Sequence, residues 1–323
     1  MIIAITGANG FVGSNLCNHF LAKGYEVKAL IRKTASTASL PASAKVFLLN
    51  YDDKQHMGEI LKDCDVLVHN AGKTKARTHY EMLKANCGIT EDLISVLNTL
   101  QKPLHFIYIS SQAVAGPVTG NNPLSEENPP NPISCYGKSK LAAETVIQAK
   151  CRTPWTIVRP CSVYGCGDRD FLSLFKMVKS GLAVQIGKQD KLLNMIHVSE
   201  LAEFLELCVV NPQAKGQIFA ASDGKIYTQR EVVLTIAKVL NKKPLRIVIP
   251  LWLAKQFFYT GHLIGLVSKR AVVLNREKMK EILADGWLSS PQKAQALLNW
   301  NPEANLTKHL KETAECYQKL GWL

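Results

Sequence analysis

The chain has 323 residues, 47% hydrophobic and 20% charged, which excludes a fibrous, low-complexity or disordered protein. Its formal charge of +13 comes from scattered lysines and arginines without a dense basic run. That argues against nucleic acid as a partner and leaves two readings, an anionic small molecule drawn by a positive field or a well-solvated basic surface.

Nine cysteines without CxxC or Cys/His ligand spacing predict free thiols in a reducing compartment and no metal site. The first residues, "MIIAITG", form an apolar run with no charged leader or cleavage site, so the expected location is cytoplasmic. Runs dense in Val, Ile and Leu at 1–6, 26–31, 45–49, 65–69, 104–110 and 155–159 predict buried strands. Helical patterns fall between them at 11–23, 54–62, 80–99 and 134–151. Such alternation predicts an α/β fold, a Rossmann-type doubly wound parallel sheet.

The first strand runs into "TGANGFVGSNL", which spaces Gly7, Gly10 and Gly13 as G-x-x-G-x-x-G. At a strand–helix junction these glycines allow a tight turn, close approach of backbone to a pyrophosphate, and seating of the helix on the sheet. Asn9, Phe11 and Val12 share that loop and are predicted cofactor contacts. The second strand, "YEVKALIRK", ends in Arg32 and Lys33 with no carboxylate in its last positions. That favours NADP over NAD, because a base there accommodates the 2′-phosphate. The alternative is that both are exposed strand-end charges and Asp52 or Asp53 reads the adenine side.

Tyr136 and Lys140 in "CYGKSK" lie four apart, on one face of the predicted helix 134–151. After Pro160 the chain turns loop-like, then "NMIHVSELAEFLELCV" at 194–209 predicts a strand and helix returning to the sheet, and 218–222 a last strand. From about 223 the pattern is helical. The predicted organisation is a dinucleotide-binding domain, 1–165 completed by 194–222, and a smaller, mostly helical C-terminal substrate domain from 166–193 and 223–323. The most membrane-like stretch, 247–267, is interrupted by Pro250, Lys255 and His262, so it is predicted to form buried helices of the second domain. Surface contact with a membrane or lipid-like substrate is the alternative.

Taken together, "TGANGFVG" at 6–13, "VHNAG" at 68–72, Asn86 in "KANCGIT", "YISS" at 108–111, Tyr136 with Lys140, and "VRPCSVYG" at 158–165 resemble the extended short-chain dehydrogenase/reductases, specifically the NAD-dependent epimerase/dehydratase family. The resemblance implies that Tyr136 is the general acid/base, that Lys140 lowers its pKa and binds the nicotinamide ribose, and that Ser111 donates to the substrate oxygen. It implies a place near the active site for Asn86. Asn70, Ala71 and Gly72 would line the cofactor, Ser110 would lie near it, and Pro160 and Val163 would border the nicotinamide. Thr74, Gln112, Ser162 and Arg169 are candidate substrate contacts. Cys135, Cys161 and Cys166 lack a partner that would make a nucleophile and read as packing; His197 reads as a satisfied core or rim histidine.

Three departures from the family pattern bear on the reaction. Gln112 and Ala113 stand where sugar dehydratases carry an acidic pair, Ser162 stands where many nucleotide-sugar epimerases carry asparagine, and Cys166 replaces a proline. The expectation is an NADP-dependent reductase or dehydrogenase of a ketone/secondary alcohol. The alternative is a nucleotide-sugar 4-epimerase with tightly held NAD, with Arg169 and Lys176 on its phosphates, and a non-catalytic dinucleotide-binding protein comes last. A homodimer through 80–99 and 134–151 would follow the family habit.

Overall fold

A computed structural model of the chain describes residues 1–256 and 276–323. Its first half alternates strands β1 (Ile2–Thr6), β2 (Glu26–Ile31), β3 (Lys45–Leu48), β4 (Val66–His69), β5 (His105–Ile109) and β6 (Trp155–Pro160) with helices. Those helices are α1 (Phe11–Ala22), α2 (Lys54–Leu61), α3 (His79–Leu83), α4 (Ile89–Leu97) and α5 (Cys135–Lys150). Later come β7 (Ser162–Tyr164), α6 (Arg169–Lys179), β8 (Leu182–Ile186), β9 (Leu192–Leu193), β10 (Met195–His197), α7 (Val198–Val210) and β11 (Gln217–Ala221).

Seven strands form one sheet in the order β3-β2-β1-β4-β5-β6-β11, every pair parallel. The central strands are apolar throughout because both faces are covered. One face packs Leu16 and Phe20 of α1 with Phe204 of α7; the other packs Met57, Leu93 and Ile147 from α2, α4 and α5. The order reverses between β1 and β4, and at such a switch point the carboxyl ends of the strands open a crevice for a ligand.

A third cluster, with Phe175, Tyr227, Ile236 and Tyr317, lies apart from these two. It carries small sheets: β8 with β13 (Leu245–Ile249), and β9 between β12 (Tyr227–Thr228) and β14 (Gly286–Trp287). Helices α8 (Gln229–Val239) and 306–319 complete it.

Several expectations change. Residues 195–197 do form a strand, but β10 pairs with β7 in a separate two-stranded sheet, so only α7 and β11 return to the main sheet. The helix expected over 80–99 is broken by a π-helical turn at Lys84–Gly88. Ala294, Leu298 and Trp300, assigned by sequence to the small domain, pack into the core of the main sheet, where the Trp300 indole donates to the Ser222 carbonyl. Cys166 and Cys316, 150 residues apart, are joined in a disulfide, so not every thiol is free.

Of the stretch 247–267, residues 247–249 belong to strand β13 and not to a helix, and 257–267 lie outside the described residues. Among the described residues no helix is long and apolar enough to cross a membrane.

Candidate active site

The loop between β1 and α1 is shaped by its glycines. Gly7 has φ +64°, in the left-handed region, and a Cβ there would lie 2.9 Å from the Ala71 Cα at the end of β4. A Cβ on Gly13 would lie 2.2 Å from the Gly7 carbonyl oxygen, so only glycine lets α1 seat this close to its own loop. Gly10 caps α1 without a side-chain acceptor, and the first turn holds no acidic residue. The first-turn N–H groups and the positive helix end are therefore suited to an anion, as a dinucleotide pyrophosphate requires. The residues present fit such a group. Asn9 accepts a hydrogen bond from Ser39 through its carbonyl, and Val12 packs on the core. Arg32 and Lys33 at the end of β2 are exposed, and among the described residues neither makes a salt bridge. Asp52 is exposed; Asp53 instead caps α2, accepting from the His56 N–H at 2.9 Å.

The turn after β4 is held from both sides. Asn70 donates to the Gly7 carbonyl, and the Ala71 N–H donates to the Thr6 hydroxyl. Asn86 lies in the π-helical turn, 1% exposed: its carbonyl oxygen accepts from the Lys73 N–H at 2.7 Å, and its amide donates to the Lys73 carbonyl and the Ser139 hydroxyl. A Cβ on Gly72 would lie 2.8 Å from this Asn86 oxygen. Asn86 was expected near the active site and counted with Ser111, Tyr136 and Lys140 by the family resemblance; its side chain is occupied in clamping the loop to α5, and it does not line the cavity described below.

Helix α5 begins at Ser134, whose hydroxyl accepts from the Gly137 N–H at 3.2 Å. Gly137 is the small residue that the contact with the next loop demands, since a Cβ would lie 2.4 Å from the Ala113 carbonyl. Tyr136, Lys140 and Glu144 then follow at four-residue intervals along one face.

The Ser111 hydroxyl hydrogen-bonds the Tyr136 phenol, drawing its pKa down, but burial outweighs this and the nearby Glu281 carboxylate adds to it: the phenol is pushed up to about 12. The expectation that Lys140 would lower it is not met. The Lys140 ammonium donates to the Ile109 carbonyl at 2.8 Å and lies 4.7 Å from the centre of the Tyr108 ring. Burial brings Lys140 itself down to about 8, opposed by Glu144.

Ser110 was read as a cofactor neighbour. Its hydroxyl instead donates to Glu144 at 2.5 Å, and Glu144 accepts a second, two-pronged contact from Arg159, at 3.0 and 2.6 Å. This pair is almost wholly buried, with side-chain exposures of 6% for Arg159 and 0% for Glu144.

Above the carboxyl edge of the sheet lies a cavity of about 890 Å³. It brings together Ser111, Gln112, Tyr136, Pro160, Ser162 and Thr74 of the sequence-derived set. Val163 packs into the core of the main sheet. Arg169 is not at the cavity; its guanidinium lies 4.9 Å over the Trp322 ring. Lys176 is likewise absent from the wall, whose cations are Lys75, Arg77 and Lys191, none of them singled out from the sequence. The run "KTKAR" directly after "NAG" was the available signal. Gln112 is 5% exposed, and its Nε2 is buried without a hydrogen-bond acceptor among the described residues.

The remaining candidates from the sequence have structural roles. Burial pushes the Cys161 thiol far above its usual range, consistent with packing. His197 is buried, bonded to the Ser199 hydroxyl and stacked on His309 at 4.6 Å.

The model of the NAD dependent epimerase/dehydratase family matches residues 3–221. The chain is 26% identical to a UDP-glucose 4-epimerase of Vibrio cholerae, the match covering 98% of this chain and 95% of the relative. It is 25% identical to a ceramide reductase of Caulobacter vibrioides, over 100% of this chain and 96% of the relative. The UDP-glucose 4-epimerase of Thermus thermophilus, solved as a complex with NAD, superposes with a TM-score of 0.77 at 20% identity, covering 98% of this chain and 99% of that one.

Proposed function

The chain belongs to the NAD dependent epimerase/dehydratase family, and from that premise we propose that it is an NADP-dependent reductase acting on a ketone, with the secondary alcohol as product. The observation that carries this reading is the end of β2, where Arg32 and Lys33 lie exposed and no carboxylate closes the strand. Tyr136 stands at the cavity wall beside Ser111, and burial pushes its phenol up to about 12, which favours the protonated form. A protonated phenol is the form that gives a proton to the oxygen of a ketone as it becomes an alkoxide.

Ser111 orients the same oxygen and stabilises the charge that develops there. The Gln112 amide, with a buried donor lacking an acceptor, supplies a further hydrogen bond to a polar substrate group. Lys140 holds its positive charge one helical turn below Tyr136. The nicotinamide cofactor, when bound, supplies the hydride. Gly7, Gly10 and Gly13 would hold its pyrophosphate, Asn70 to Gly72 would border it, and Arg32 and Lys33 would meet the 2′-phosphate that distinguishes NADP.

Residues 166–193 and 223–323, apart from the segment at 292–300, would act as the substrate-binding domain. Part of the cavity wall is apolar, with Phe171, Leu174, Val232 and Trp287. That composition suits a substrate with a hydrophobic body.

A second reading is favoured by Lys75, Arg77 and Lys191 at the same cavity: these cations suit a diphosphate, and the alternative is a nucleotide-sugar 4-epimerase. The two readings differ in redox balance. The purified protein is given NADPH and a panel of ketones with hydrophobic chains. Stoichiometric loss of NADPH and appearance of alcohol are expected. Interconversion of two epimeric sugar nucleotides without net consumption of dinucleotide would displace the reductase.

A further inference from the structure

Strands β8 and β13 form a parallel two-stranded ribbon, with Leu245 beside Leu182, Ile247 beside Val184 and Ile249 beside Ile186. Because alternate residues of a strand share a face, these six aliphatic side chains make one wholly apolar surface. The opposite face carries Ala183, which packs on the third core cluster, Gln185, which accepts from Arg246, and Val248, which is exposed. A face built only of aliphatic side chains is normally core. Here Leu245 is 67% exposed, and Leu182 and Ile247 are exposed beside it.

Two more exposed apolar residues, Leu251 and Trp252, follow β13 in sequence. Leu251 packs against Gly187, where a Cβ would lie 3.1 Å from its Cδ2, and Trp252 stands 67% exposed. Monomeric proteins rarely leave such a contiguous apolar surface uncovered without a partner for it.

Among the described residues, the charges that flank the two strands in sequence are mostly lysines; Asp190, four residues past β8, is half-buried and accepts from the Lys191 and Arg230 N–H groups. Lys176, Lys179 and Lys188 flank β8, and Lys242, Lys243 and Lys255 flank β13; all six are exposed. No aspartate or glutamate occurs anywhere in 176–189 or 241–256. Aliphatic residues with a tryptophan, flanked by lysine, complement an anionic bilayer surface. The side chains enter the headgroup–acyl boundary and the lysines meet the phosphates. A second copy of this chain would bring the same positive charges against themselves, which disfavours it as the occupant.

We propose that the face formed by Leu182, Leu245, Ile247, Leu251 and Trp252 docks this protein onto the surface of a membrane containing anionic phospholipids. The docking does not depend on which ketone the cavity takes.

The test is co-sedimentation of the full chain with vesicles of phosphatidylcholine alone and of phosphatidylcholine mixed with phosphatidylglycerol. Binding is expected to the mixed vesicles, with release by salt. Lys242→Gln with Lys243→Gln is expected to weaken it about thirtyfold (about 2 kcal/mol, at about 1 kcal/mol per basic residue and 1.4 kcal/mol per tenfold). Leu245→Ser with Trp252→Ser is expected to abolish binding while the thermal midpoint stays unchanged, since both side chains are exposed. Three results would each overturn the proposal: no sedimentation with either vesicle, full affinity retained by the serine variant, or a serine variant that loses a dimer in solution and not vesicle binding.

Discussion

Tyr136→Phe is expected to lower turnover by about a hundredfold to ten-thousandfold, the range for removing a positioned acid or base, while affinity for the dinucleotide is kept. The phenol oxygen is the one atom removed. It stands at the cavity wall, bonded to Ser111, away from the glycine loop that meets the pyrophosphate. Steady-state kinetics with a dinucleotide titration separate the two effects; a variant with undiminished turnover would remove Tyr136 from the chemistry.

The pH profile of the unmodified protein carries the same argument. In ketone reduction the phenol must be protonated, and with its pKa near 12 it stays so across the neutral range. The first loss with rising pH is therefore expected near pH 8, where Lys140, which would bind the nicotinamide ribose of the cofactor, gives up its charge. In the reverse direction, oxidation needs the phenolate, so its rate rises with pH until Lys140 begins to discharge.

The second large effect is on stability. Replacing Glu144 by Gln leaves the Arg159 guanidinium buried without its carboxylate, and removing one partner of a buried pair costs about 3–5 kcal/mol. That is a large part of the total stability of a typical domain. The Ser110 hydroxyl and Arg159 both converge on this carboxylate, so neither is satisfied by the neutral amide to the same degree. Glu144→Leu combined with Arg159→Leu removes both charges and is expected to lose less than Glu144→Gln alone, a result a denaturant titration reads directly. Glu144 also holds the Lys140 pKa up, so in Glu144→Gln the alkaline limb of activity is expected to move to lower pH.

The parts of this site that were legible in the sequence are those fixed by backbone geometry or by helical spacing. Gly7 and Gly13 had to be glycine because their own loop and the Ala71 turn leave no room for a Cβ. Tyr136 and Lys140 announce their common face by separation alone. Spacing along a helix does not say where a long side chain ends, and Lys140 turns to a strand-end carbonyl and not to the phenol.

Glu144 continues the same spacing, yet its partner Arg159 sits on β6 and only the sheet brings the two together. The cations that reach the cavity depend on how the 73–77 loop and the small sheets pass over the carboxyl edge. Local pattern therefore pointed to Arg169, which stacks on Trp322, and missed Lys75, Arg77 and Lys191. For the same reason the strand at 195–197 was legible as a strand but its partner was not: apolar character marks a segment as buried without saying which neighbour pairs with it.

The proposed reductase rests on NADP at the end of β2, where Arg32 and Lys33 lie exposed and no carboxylate closes the strand. The most direct test is to unfold the purified protein, identify any dinucleotide it releases, and then titrate NADPH and NADH into fresh protein. No tightly held dinucleotide, with NADPH bound at least tenfold more tightly than NADH, is the predicted result (about 1.4 kcal/mol). Stoichiometric NAD carried through purification would contradict it and place the epimerase first.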